Sequence, residues 1–122
     1  MNEVTLTIPI VTPSLNETKK WHWTKERRYW KRNWDWLILA EIQRIRRRYL
    51  PSGVHVEVRV KRFGDQLLDE DNLAGGAKGL IDLLVQHGLL VDDHPDHATL
   101  TYKQQYGTPK AERRTEIRLR WE

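Results

Sequence analysis

The chain has 122 residues, enough for one domain with a single core, and its 39% hydrophobic and 31% charged residues suit a globular domain rather than a disordered one. Without cysteine it has neither a disulfide framework nor a thiolate metal site, and no apolar run approaches the roughly 20 residues that span a bilayer. The net charge is +4, and the opening MNEVTLTIPI lacks a basic stretch followed by an apolar one, so no signal peptide and no membrane contact are expected, and the cytoplasm is the expected location.

Val4, Leu6 and Ile8 alternate with polar residues, the period of a half-buried strand. Pro9, Pro13, Ser14 and Asn16 break it into a loop. Trp30, Trp34, Leu37, Ile38, Ile42, Ile45 and Tyr49 then recur at three- and four-residue spacing, predicting a long helix that stops at Pro51 and Gly53. Val54, Val56, Val58 and Val60 predict a second strand. A second helix is expected from about Leu73 to His87, with Leu73, Ala77, Leu80, Ile81 and Leu84 as its apolar face and Gly88 at its left-handed end. Gly75 and Gly79 fall off that face and predict a smooth strip open to a partner helix or to DNA. Ala98, Leu100 and Tyr102, then Thr115, Ile117, Leu119 and Trp121, predict two closing strands. The order β-α-β-α-β-β implies one α+β domain over residues 1–122, two-layered. A mixed sheet of about four strands should carry both main helices on one face.

Charge is distributed unevenly along these elements. Residues 17–50 hold eleven Lys/Arg against four acids. Residues 65–96 hold eight acids (Asp65, Asp69, Glu70, Asp71, Asp82, Asp92, Asp93 and Asp96) against one base, Lys78. Asp at a helix start is an ordinary N-cap, and a DD pair after a helix is an ordinary polar turn. DEDN before a helix and DD after it, in a basic chain, read instead as carboxylates gathered for a hard cation such as Mg²⁺ or Mn²⁺. The helix between the two groups is roughly 22 Å long, so they meet only if the chain doubles back or a symmetry mate supplies one.

The first helix opens with KKWHWTKERRYWKRNWDW, in which Lys25, Arg27, Arg28 and Lys31 suit phosphates. Trp30 and Trp34 belong to the apolar stripe. Trp21, Trp23 and Trp36 fall off it and are open to base stacking or subunit contact. His94 and His97 around Asp96 read as a solvated turn rather than a zinc site.

The segment LLDEDNLAGGAKGLIDLLVQHGLLVDD resembles the core of the RusA family of Holliday junction resolvases, which carries DxDN, a helix with a Lys and a later Asp, a glycine and a terminal DD. IPIVTPSLN is similar to that family's opening strand and Pro-Ser-Asn loop. The resemblance implies Asp69, Asp71 and Asp93 as catalytic metal ligands and Lys78 as the catalytic or phosphate-facing lysine. Asn72 would support them, and Asn16 and Asn72 join the DNA-contacting set. It also implies a homodimer that places paired symmetric nicks in a four-way junction. The family's arginines before DxDN are here Leu67 and Leu68, and the spacing from Asn72 to Lys78 is longer than in some members. Two other functions fit the same residues: a non-catalytic DNA-binding module whose acids only cap a helix, and a metal-dependent nuclease for another branched DNA.

Overall fold

The computed structural model describes residues 1–122. Strand β1 (Asn2–Ile8) buries Leu6 and Ile8 and leaves the alternate residues outside. Helix α1 (Leu15–Thr18) is opened by a capping box, in which the Ser14 hydroxyl accepts from the Glu17 N–H and the Glu17 carboxylate accepts from the Ser14 N–H. Helix α2 (Trp23–Trp30) runs through a π-helical stretch, Lys31–Asp35, into α3 (Trp36–Ile45) as one rod.

That rod ends earlier than the apolar spacing predicts. Arg46 adopts φ 78°, which breaks the helical ladder, and Arg47–Tyr49 form a separate 3₁₀ turn. Tyr49, expected on the apolar stripe, is therefore 57% exposed. Strand β2 (Val56–Phe63) also starts late, leaving Val54 outside the sheet and exposed.

The expected second helix is two helices. Helix α4 (Glu70–Gly76) and α5 (Lys78–Gln86) meet at Ala77, whose φ/ψ of −90°/−2° lies off the helical minimum. Two successive glycines just before the break each weaken a helix interior by about 1 kcal/mol relative to Ala. The apolar face survives: Leu73, Ala77, Leu80, Ile81 and Leu84 are all buried. Gly88, at φ 76°, closes α5 as expected, with the Gly88 N–H donating to Val85 O and the Leu89 N–H to Leu84 O.

Strands β3 (Ala98–Gln105) and β4 (Arg114–Trp121) complete a mixed four-stranded sheet of order β1-β4-β2-β3. Its pairs are antiparallel except β2 with β3, which are parallel and joined through α4 and α5. The register puts Ile117 between Leu6 and Val60, and Leu119 between Val4 and Val58. With Trp34, Ile38, Leu80 and Leu84 these residues form one core between the sheet and the helices. The opposite sheet face is polar, with Thr5, Arg118, Arg59 and Thr101 in one row. The α+β, two-layer architecture read from the sequence is what the chain adopts.

The chain itself packs against the glycine strip. A Cβ on Gly79 would collide with the Trp30 indole, and one on Gly75 would lie 2.8 Å from the Leu15 side chain. The same close approach leaves the Trp30 indole N–H buried without an acceptor. These glycines let α5 and α4 pack against the α1–α2 arm of the same chain.

Candidate active site and nucleic-acid groove

The acidic motif is held by contacts from three directions. Asp69 caps α4: its Oδ1 accepts from the Asn72 N–H at 2.8 Å and its Oδ2 from the Asn72 side-chain amide at 3.0 Å. Those bonds stabilise the charged carboxylate, the backbone one most, and hold Asp69 below its ordinary pKa. The Asn72 side-chain oxygen in turn accepts from the Asn16 N–H at 2.8 Å, tying the Pro-Ser-Asn loop to DxDN across 56 positions of sequence. On the other side Gln104 of β3 clamps the Leu68 backbone, its Oε1 accepting from the N–H and its Nε2 donating to the carbonyl.

Arg62 braces the same region from beneath. Its buried guanidinium donates from Nε to Thr12 O at 2.9 Å, and burial lowers its pKa. Arg62 falls on the buried parity of Val56, Val58 and Val60, whereas Arg59 and Lys61 fall on the other, half-buried one.

The DD pair divides its two carboxylates. Asp92 faces His97, whose Nδ1 lies 2.8 Å from its Oδ1, and also accepts from the His94 N–H. The contact with His97, then that with His94, holds Asp92 below the usual carboxylate range. Asp93 turns the other way: its Oδ2 lies 3.7 Å from Lys78 Nζ. Burial, with the Asp93 charge nearby, pushes the Tyr102 hydroxyl up. Lys78 also reaches Asp82, one turn further along α5, at 3.9 Å, so it contacts an acid of its own helix and a distant one.

Lys78 stands on the lip of a groove of about 660 Å³ between α2 and α5. Arg27 and Lys31 line the opposite wall with Lys19, while Lys25 and Arg28 are exposed outside it. No protein-family model matches the chain, and no curated protein matches it significantly.

The site residues read from the sequence therefore fall into two groups, Asp69–Asn72–Asn16 and Lys78–Asp93, with Asp71 exposed on the first turn of α4. No three Asp, Glu or His side chains come close enough to enclose an ion. The donor chemistry still suits Mg²⁺ or Mn²⁺, because every carboxylate here offers hard oxygen and such ions take one or two protein carboxylates beside water and phosphate. Sequence reasoning missed two residues of the groove lining, Asp35 and Gln86.

Proposed function

We propose that this chain is a metal-dependent endodeoxyribonuclease of the RusA type, a cytoplasmic homodimer that resolves Holliday junctions by paired symmetric nicks. The observation that carries the reading is the contact between Asp93 and Lys78, fifteen positions apart, with Lys78 lining a groove that Lys19, Arg27 and Lys31 also line. In this reading Asp69, Asp71 and Asp93 are the candidate ligands of Mg²⁺ or Mn²⁺, an ion taking one or two of them beside water and phosphate. The ion, when bound, would neutralise phosphate charge and lower the pKa of a water. Lys78 stabilises the negative charge that grows on the phosphate as its ester bond breaks. Arg27 and Lys31 take backbone phosphates beside the site, and Lys25 and Arg28 take those of a neighbouring stretch. Asn72 holds Asp69 and the Asn16 loop in register, so that the acids and the DNA surface move together.

One observation favours a second reading, a DNA-binding module without catalysis. Both oxygens of Asp69 already serve as a helix cap. A synthetic four-way junction incubated with and without Mg²⁺ or Mn²⁺ separates the two. Metal-dependent paired nicks, lost in Asp71→Asn with junction binding kept, support the resolvase. A junction bound but never cut establishes the binding module, and preferential cutting of flaps or single strands points to another branched substrate.

A further inference from the structure

We propose that the groove between α2 and α5 is a pocket for one unpaired nucleotide, with its base against Trp23 and its phosphate on the basic wall. Its volume of about 660 Å³ falls in the range of small-ligand sites. Trp23, Arg27 and Lys31 follow one another every four residues along α2 and into the π-helical stretch, and Lys19, just after α1, lines the groove with them. The floor includes Trp30 and Gly79, and the missing Cβ of Gly79 is what lets the two walls close over an aromatic surface.

Charge decides which way round a ligand enters. Three carboxylates line the groove: Asp82 on α5 lies 3.9 Å from Lys78, Asp35 at the end of the π-helical stretch lies 2.7 Å from His87 Nε2, and Glu26 on α2 has no cation within 4.0 Å. Lys19, Arg27 and Lys31 have no carboxylate within 4.0 Å. Against the single unpaired Glu26, these three cations leave the α2 side of the groove with a positive excess, where an anion belongs. Trp23 is 61% exposed on that same wall, with the Arg27 guanidinium 5.9 Å from its ring. An aromatic face flanked by cations matches a base joined to its phosphate. A base paired in a duplex cannot present its face to a slot between two helices, whereas an unpaired one can. The inference rests on the nucleic-acid reading above but not on cleavage.

The test uses the full chain and a single-stranded oligonucleotide carrying one 2-aminopurine, with the blunt duplex of the same sequence as comparison. Stacking on an indole quenches 2-aminopurine, and anisotropy of a labelled end reports binding separately. The expected result is quenching with the single strand and little with the duplex. Trp23→Ala should lose the quenching and weaken single-strand binding at least tenfold, while Trp23→Phe restores part of the affinity. Because Trp23 is exposed, an unchanged thermal melt is expected for both variants. Equal quenching by Trp23→Ala, or equal quenching by the duplex, would overturn the pocket. Junction cutting is scored apart: quenching without cutting keeps the pocket and removes the nuclease, and cutting without quenching does the reverse.

Discussion

Asn72 shows how much one side chain contributes to the acidic motif. Its amide nitrogen and backbone N–H both donate to Asp69, and its oxygen accepts from Asn16. The pattern DxDN was legible in the sequence as a helix start beside acids. The partner of Asn72 was not, because Asn16 lies 56 positions away and only the fold brings it close. Gly75 and Gly79 were misread for the same reason: spacing places a glycine on a helix face but cannot say that Leu15 or Trp30 fills the space above it. Asp69 also gives a test by pH. Its folded pKa lies below its unfolded one, so the unfolded chain binds more protons. The stability it adds is full above the ordinary aspartate pKa of about 3.9 and is lost as pH falls through the depressed value. Asp69→Asn should therefore be less stable than the parent at pH 7 in urea unfolding, with the gap narrowing below about pH 3.9. A gap that stays constant into acid would show that the charge of Asp69 adds nothing to the fold.

At the scale of elements, periodicity located the strands and the apolar stripes, and missed the interruptions. Trp30, Trp34, Ile38 and Ile42 follow a strict four-residue repeat, and all are buried. In a plain α-helix such a repeat drifts by about 40° at each step, because a turn takes 3.6 residues. The π-helical stretch Lys31–Asp35 holds more residues per turn and returns the stripe towards the core. The strict fours were thus a visible trace of the π segment, whereas the stop at Arg46 had none. That segment also places the Trp34 indole N–H to donate to the Tyr29 hydroxyl at 3.1 Å, inside a core where burial raises the Tyr29 pKa. Tyr29→Phe leaves this N–H of a fully buried tryptophan without its acceptor. The expected loss is about 1–3 kcal/mol in denaturant unfolding, the penalty for a buried unsatisfied donor. A variant as stable as the parent would mean that the indole finds another acceptor.

For the whole molecule, one groove brings the basic residues Arg27 and Lys31 opposite Lys78 and Asp82, while the other seven acids of the acidic block lie outside it. The proposed dimer needs a surface other than the glycine strip, and α3 offers one in Trp36 and Leu39, 61% and 43% exposed and about one turn apart. Trp36→Glu should convert a light-scattering dimer into a monomer, and a dimer that persists would move the contact elsewhere. Lys78 tests the catalytic reading itself. Its partners, Asp93 at 3.7 Å and Asp82 at 3.9 Å, are about as exposed as each other. Exposed ion pairs contribute about 0–1 kcal/mol, so neither contact explains the lysine through stability alone. If Lys78 faces the scissile phosphate, Lys78→Ala should lower junction cleavage at least tenfold, or about 1.4 kcal/mol of barrier, while the urea midpoint barely moves. Lys78→Arg should recover only part of the rate, because a guanidinium is a broad fork rather than a compact charge. Asp82→Ala supplies the control, since it removes the helical pair and leaves the contact to Asp93. Normal cleavage by Asp82→Ala beside slow cleavage by Lys78→Ala assigns the lysine to the phosphate. Normal cleavage by Lys78→Ala with a lowered urea midpoint leaves it as a surface ion pair and nothing more.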